Sequence, residues 1–171
     1  MLEPFRAVLC GHRIILASGS PRRREILETG LPFMTIEIIP SKAEENLDKN
    51  LPKYREKPWL YAEDTAVLKA EAVMKEITEQ DNVILIGADT VVTLDKVIYG
   101  KPKNDQHAQE MLKRFSGQTQ KVYSGVCLFK GMSNVVHCPA FYMHMSIQIV
   151  NKRLVIFLQM YIHVHFLIFF F

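Results

Sequence analysis

A short loop rich in hydroxyl and guanidinium groups, residues 18–24, is the first segment that could do chemistry. It reads Ser-Gly-Ser-Pro-Arg-Arg-Arg and follows an apolar run, residues 13–17. The first amides of a helix and the helix dipole attract anions, and guanidinium groups bind phosphate oxygens in pairs. The loop therefore predicts a phosphate site, with a solvated basic helix turn as the alternative. It is neither a P-loop nor a GxGxxG loop, so it indicates no NTPase or dinucleotide fold.

Acidic residues stand at two places where β-prone runs end. Asp89 follows the sequence Val-Ile-Leu-Ile-Gly-Ala, and Glu44 and Glu45 come after the run 34–39. Ligands of open α/β sheets bind at the carboxyl ends of strands, so Asp89 is a candidate general base or metal ligand. Mg²⁺ binds one or two carboxylates together with phosphate oxygens and water, so a glutamate could complete the site. The alternatives are a turn formed by Asp89 with Thr90 and a pair of solvated glutamates.

Two lysines occupy positions that call for an explanation. Lys69 shares a helical stripe with Ala66 and Val73, where the helical period predicts apolar side chains. A cation that faces the interior requires an anionic partner. Lys101 lies in a Gly-Lys-Pro sequence after a predicted hairpin, where ordinary turn chemistry is the alternative to a functional role.

Alternating strands and helices must position these residues, which predicts the α/β class with a mixed sheet. The predicted strands are 13–17, 34–39, 83–88, a hairpin of 91–94 with 97–99, and 122–129, and the predicted helices are 21–29, 60–80 and 105–115. Ser20 is expected to cap the first helix, and Gly30 to end it in the left-handed conformation. The segment 41–57 is expected to be mostly loop. Asp89 is expected to end its strand.

Composition limits the class of protein. With 171 residues, 49% of them hydrophobic and 23% charged, the chain is long enough for one globular domain. Its three cysteines are widely spaced and form no CxxC pair, which argues against a disulfide scaffold or a zinc module and favours a reducing, cytoplasmic location. A net charge of +3 without a concentrated basic face argues against a nucleic-acid partner.

The composition changes sharply near residue 131. All 18 acidic residues precede this point, and 15 of the last 18 residues are apolar. We therefore divide the chain into a domain over residues 1–130 and a divergent hydrophobic tail over residues 131–171. Three interpretations of the tail are open: an end unrelated to the fold, a pair of very apolar strands, and a membrane anchor over residues 154–171, which reaches the lower length limit for spanning a bilayer.

Several motifs together resemble the Maf family of nucleotide pyrophosphatases. They are ILASGSPRRREIL, the EEN after a strand, Lys69-Ala70 on a helix, GADTVV, YGKP, the AxxML of residues 108–112, and SGxxxxVYSGV, in the family's order along about residues 13–126. The Ser-Pro-Arg-Arg form of the first loop is similar to the dTTP/UTP pyrophosphatase branch. The SKxEExLDK sequence is similar to the Maf domain of acetylserotonin O-methyltransferase-like proteins.

The resemblance implies a fold and a reaction. The fold would be the Maf-like mixed sheet, related to that of ITPases, with flanking helices and a central cleft. Its C-terminal part would be incomplete, because the family's acidic helical region is not found after Gly131. The reaction would be hydrolysis of a dTTP- or UTP-type nucleotide to the monophosphate and pyrophosphate, with Mg²⁺ or Mn²⁺ as cofactor.

The resemblance also implies roles for individual residues. Asp89 matches the proton acceptor and, with Glu45, the carboxylates near the metal, while Lys69 and Lys101 match catalytic lysines of the cleft. The substrate-binding set comprises Ser18, Ser20, Arg22, Arg23 and Thr90. Of these, Arg22 and Thr90 fall on positions linked to base specificity.

Two functions are open at this point. One is an active pyrophosphatase, and the other is a catalytically impaired nucleotide-binding or regulatory isoform that is associated with a membrane through residues 154–171. The expected partners are a nucleoside triphosphate and a second copy of the chain in a homodimer.

Overall fold

A computed structural model describes residues 6–78, 82–131, 134–150 and 153–161. The helices are α1 (Arg6–Leu9), α2 (Pro21–Gly30), α3 (Pro52–Glu56), α4 (Pro58–Glu76) and α5 (Asp105–Phe115). The strands are β1 (Arg13–Leu16), β2 (Ile36–Ile38), β3 (Val83–Leu94), β4 (Val97–Tyr99), β5 (Gln118–Lys130), β6 (Asn134–Val150) and β7 (Arg153–Tyr161).

The strands form a mixed sheet, as predicted. Hydrogen bonds order them β2-β1-β3-β5-β6-β7, and β4 pairs with β3. Strand β1 is parallel to both of its neighbours, β2 and β3, whereas β4 is antiparallel to β3 and β7 is antiparallel to β6. The last register pair of β1 with β3 joins Leu16 to Ile86. The α/β class with flanking helices is therefore confirmed.

Strand β3 is longer than predicted, and the expectation that it ends at Asp89 is wrong. The strand continues through the β-branched segment 90–93 and pairs with β4 up to Leu94. Asp95 and Lys96 then turn the chain with φ of 52° and 64°. Positive φ at both central residues is typical of a tight hairpin turn. This turn brings β4 back alongside β3, and the antiparallel pairing extends β3 beyond the apolar run 83–88.

Helix α2 starts as predicted and ends differently. Pro21 occupies a first-turn position and Ser20 stands at the N-cap, but the Ser20 side chain makes no capping hydrogen bond. Gly30 is the last helical residue and lacks a positive φ, so its predicted left-handed conformation is wrong. The chain leaves the helix at Leu31, whose N–H donates to the Leu27 carbonyl at 2.8 Å and whose side chain is buried.

The segment 41–57 is mostly loop, as expected, but it contains the short helix α3. Pro52 begins α3 and Pro58 begins α4, where a missing N–H costs no hydrogen bond. Tyr54 of α3 is buried edge-on against the ring of Tyr61, with centroids 5.1 Å apart. This aromatic contact packs α3 against the first turn of α4.

The chain divides into two compact units. The first comprises Met1–Asn46, Glu63–Asp89 and Val126–Cys138, and the second comprises Leu47–Ala62, Thr90–Gly125 and Pro139–Phe171. In the first unit, the small residues of α4 pack on β1 and β3, with Ala66 and Ala70 fully buried. A Cβ built on Gly87 would lie 2.5 Å from the Ala66 carbonyl oxygen and 2.6 Å from Cys127 Sγ. Close helix–strand packing therefore explains both the glycine and the alanines.

The second unit has its own aromatic core. Tyr54, Tyr61 and Tyr123 are buried there with Val91 and Ile98. These large side chains fill the core of the second unit, whereas small alanines allow close helix–strand packing in the first unit.

Two paired strands lie in the segment predicted as a tail. Strands β6 and β7 are antiparallel, with Ile147 opposite Ile156. A strand pair is one of the three predicted alternatives for the tail. In the described part of the chain, no helix has both the length and the apolar character needed to cross a membrane. Residues 162–171 of the predicted anchor lie outside the described residues.

Candidate active site

Lys69 bridges two carboxylates in the first unit. Its Nζ lies 2.7 Å from Asp89 Oδ1 and 2.7 Å from Glu45 Oε1. The side chains of Lys69 and Asp89 are 15% and 11% exposed, whereas that of Glu45 is 41% exposed. The lysine predicted to face the interior thus has two anionic partners, and the structure brings together three of the predicted site residues.

Three different elements supply these groups. Lys69 extends from the buried stripe of α4, one turn after Ala66. Asp89 lies on β3, two residues beyond the glycine that allows α4 to approach the strand. Glu45 belongs to the irregular segment after β2, and its neighbour Glu44 is exposed. The close packing of α4 on β3 therefore positions the ammonium group near the strand's aspartate.

Opposing effects act on the pKa of Lys69. Burial disfavours the ammonium and by itself lowers the pKa. The hydrogen bonds to Asp89 and Glu45, together with their negative charges, outweigh burial and raise the pKa above its ordinary value. Lys69 therefore stays protonated at neutral pH and holds both carboxylates.

The predicted phosphate loop forms an internal hydrogen-bond network. Ser18 is buried, and its Oγ accepts hydrogen bonds from the Ser20 backbone N–H at 3.3 Å and from Arg23 NH1 at 3.0 Å. Arg23 NH1 also donates to the backbone carbonyl of Ala88 at 2.8 Å. The loop is thereby tied to the residue that precedes Asp89. Sequence reasoning missed Ala88 because a backbone acceptor leaves no signal in the residue type.

The three consecutive arginines of α2 lie in three environments. Arg22 is exposed, and Arg24 forms a surface ion pair with Glu28 at 2.6 Å. Arg23 is half-buried, and burial lowers the pKa of its guanidinium, while the charges of Asp89 and Glu45 raise it and offset part of that effect. Arg23 therefore belongs electrostatically to the carboxylate cluster.

The donor set suits a divalent cation of the magnesium type. The carboxylates of Glu45 and Asp89 both contact the Lys69 ammonium group and therefore lie close together. Hard cations such as Mg²⁺ bind one or two carboxylates, and substrate phosphates and water complete their coordination shell. Among the described residues, no group of three or more His, Cys, Asp or Glu side chains could hold a metal by itself. The protein groups thus fit a cation that is shared with a phosphate ligand.

Two predicted site residues belong to the second unit. Thr90 Oγ1 forms a hydrogen bond with Ser124 Oγ at 2.9 Å, and Lys101 is exposed in the loop after β4. Sequence reasoning did not single out Ser124 as a partner of Thr90. The only available signal was that both residues lie in the quoted motifs GADTVV and SGxxxxVYSGV.

Solved structures establish the class of fold. The chain is similar to a HAM1 protein from Coxiella burnetii, with a TM-score of 0.51 and 15% identity over 80% of this chain and 73% of that one. It is also similar to the Staphylococcus aureus Ham1 protein, with a TM-score of 0.50 and 17% identity over 81% of this chain and 72% of that one. At these identities the likeness concerns the fold alone.

The chain belongs to the Maf family. The family model, described as Maf-like protein, matches residues 13–152 and therefore continues past the last quoted motif. It includes part of the segment assigned to the divergent tail, and the domain boundary at residue 130 stays a prediction.

Two named relatives support this membership. The chain is 40% identical to the human protein "Probable bifunctional dTTP/UTP pyrophosphatase/methyltransferase protein" over 144 residues, which cover 82% of this chain and 21% of the relative. It is 44% identical to the "dTTP/UTP pyrophosphatase" of Bacillus cereus (strain AH820) over 117 residues, which cover 68% of this chain and 56% of the relative. The match thus spans about half the length of the bacterial relative and about a fifth of the human one.

Proposed function

We propose that this chain acts as a nucleoside triphosphate pyrophosphatase that converts dTTP- and UTP-type nucleotides to the monophosphate and pyrophosphate. The observation that carries the proposal is the pair of carboxylates, Glu45 and Asp89, held by one ammonium group next to a loop of hydroxyl and guanidinium groups. Family membership supports the reaction, and the names of the human and Bacillus relatives support the substrate class.

Glu45 and Asp89 would hold the divalent cation, Mg²⁺ or Mn²⁺, together with oxygens of the substrate. When bound, the cation supplies positive charge that stabilises the negative charge developing on the leaving pyrophosphate.

The residues of the first unit would act on the phosphates and on the attacking water. Asp89 orients the water and accepts its proton as the oxygen attacks the α-phosphorus, and the bond to the β-phosphate oxygen then breaks to release pyrophosphate. Lys69 contributes an ammonium group that neutralises charge in the transition state. Ser18, Ser20 and Arg22, at the start of α2, bind the phosphate chain.

Two further residues take roles that the Maf motifs alone support. We assign Lys101 a second cationic contact to the phosphates and Thr90 a contact to the base. Both assignments rest on the Maf motifs YGKP and GADTVV.

The proposal predicts the point of bond cleavage. The full chain is incubated with UTP, dTTP, CTP or dATP in the presence of Mg²⁺ or Mn²⁺, and the products are separated. UTP should give UMP and pyrophosphate, and in H₂¹⁸O the label should appear in UMP because water attacks the α-phosphorus. Formation of UDP and phosphate, or label in pyrophosphate, would overturn the proposed reaction. Nucleotide binding without turnover would favour the impaired, nucleotide-binding alternative.

A further inference from the structure

The backbone ladder between β1 and β3 ends just before the candidate site. The Ala17 N–H donates to the Ile86 carbonyl at 2.8 Å, after which the chain turns away toward α2. Carbonyls two residues apart on a strand point to the same neighbour, so the Ala88 carbonyl points to the side that β1 has left. A buried carbonyl there requires another donor.

Arg23 supplies that donor. Its NH1 lies 2.8 Å from the Ala88 oxygen, where the N–H of a longer β1 would otherwise stand. The same nitrogen donates to Ser18 Oγ at 3.0 Å. One guanidinium nitrogen thus replaces the next hydrogen bond of the β1–β3 ladder. The same nitrogen joins the loop to the peptide unit that connects Ala88 to Asp89.

Within the described part of the chain, the neighbouring arginines make no comparable contact. Arg22 is exposed, and Arg24 pairs with Glu28 on the surface of the same helix. Three identical side chains in one helical turn therefore separate into an exposed group, a bridging group and a surface ion pair.

We propose that Arg23 is a positioning residue, which sets the geometry of Asp89 through Ala88 and Ser18, and that Arg22 is the arginine that grips phosphate. This assignment differs from the substrate-binding role that the family resemblance implies for Arg23. It rests on the proposed function insofar as Asp89 acts on the attacking water.

Arginine is required at position 23 for reach as well as charge. A lysine ammonium lies one bond closer to the main chain than NH1 and lacks the planar fork, so Arg23→Lys should keep only part of the bridge. Arg23→Gln removes both the reach and the charge. Arg24→Gln is a matched control, because it removes a guanidinium from the same helical turn without touching Ser18 or Ala88.

The first test separates kcat from KM. With UTP and Mg²⁺, Arg23→Gln should lower kcat about tenfold to a hundredfold with KM changed less than about threefold, and Arg23→Lys should be intermediate. Arg22→Gln should raise KM, and the Kd of a UTP analogue with a non-hydrolysable α,β bridge, about tenfold. Arg24→Gln should stay within about twofold of wild type. An Arg23→Gln variant that raises KM and the analogue Kd as Arg22→Gln does would overturn the proposal.

The second test does not depend on activity. Amide hydrogen exchange of a peptide covering residues 87–91 should be about tenfold faster in Arg23→Gln and unchanged in Arg22→Gln and Arg24→Gln, measured in chains with matched thermal unfolding. Unchanged exchange in Arg23→Gln would refute the bridge. If wild type neither binds nor hydrolyses nucleotides, the proposed function fails, and hydrogen exchange alone still decides whether Arg23 holds this segment.

Discussion

Replacing Lys69 by methionine should destabilise the first unit, because it leaves two carboxylates without their shared cation. Removing one partner of a fully buried ion pair costs about 3–5 kcal/mol, whereas an exposed pair contributes about 0.2–1 kcal/mol. Asp89 is mostly shielded from solvent, so the cost of leaving it unpaired lies somewhat below the range for a fully buried pair. Glu45 is much more exposed, so its pair with Lys69 contributes as much as an ordinary exposed pair. The expected loss of unfolding free energy is about 2–4 kcal/mol.

Urea denaturation followed by circular dichroism measures this loss. Lys42→Met is the matched control, because Lys42 pairs with Glu76 at 3.2 Å on the surface, and it should cost less than about 1 kcal/mol. All variants are compared at pH 7 without divalent cations.

A second substitution identifies the cause of the loss. If the cost arises from the uncompensated charge of Asp89, adding Asp89→Asn to the Lys69→Met variant should restore about 1–3 kcal/mol of stability. Additive losses in the double variant, or a Lys69→Met variant within about 0.5 kcal/mol of wild type, would refute the reasoning.

Asp89→Asn should keep the fold but lower kcat at least about a hundredfold, and a variant that retains more than about a tenth of the wild-type kcat would remove Asp89 from the catalytic role. Gly87→Ala should cost about 1–3 kcal/mol or more in urea denaturation, because its Cβ would clash with α4, whereas Gly30→Ala, with open space around it and no positive φ, should be neutral or slightly stabilising. The stability difference between wild type and Lys69→Met should be constant from about pH 7 to about pH 10, where the carboxylates are ionised and lysine is charged even when unfolded. It should shrink as the pH rises further through the raised pKa of Lys69, and a difference that already shrinks between about pH 7 and pH 9 would contradict this sign. With a non-hydrolysable UTP analogue present, Mg²⁺ should raise the Tm of wild type further, and this additional shift should disappear when Glu45 and Asp89 are both replaced by their amides, since the two carboxylates are the proposed protein ligands.

The sequence predicted the positions of the strands from their apolar runs, but it did not predict where the pairing between strands stops. The run before Asp89 indicated a strand, yet β3 continues to Leu94 because β4 pairs with it. The change that matters for the site occurs earlier along β3, where the ladder with β1 ends at the bond from Ala17 to Ile86. Hydropathy cannot show this, because the end of a ladder depends on the neighbouring strand and not on the strand itself.

The sequence also predicted that Lys69 needs an anionic partner, but it could not identify the partners without the family resemblance. A charged residue on an apolar stripe is a strong signal because burying an unpaired charge is costly. Its partners, Glu45 and Asp89, lie 24 residues before it and 20 residues after it, on elements that only the packing of α4 brings together. Glu44 and Glu45 are both exposed and could not be separated by residue type, and it is Glu45 that pairs with Lys69.

The candidate site is a near-neutral cluster of two carboxylates and two cations. The negative charges of Glu45 and Asp89 are balanced by Lys69, which forms ion pairs with both, and by Arg23, whose guanidinium interacts electrostatically with both. Removal of any one group leaves a net charge in a partly buried place, so several substitutions will lower both stability and activity. Loss of activity alone therefore cannot identify the catalytic group. The double variant of Lys69 and Asp89 tests whether charge balance sets the stability of the cluster. The separation of kcat from KM at Arg22 and Arg23 tests whether an arginine binds the substrate or positions the carboxylate that acts on it.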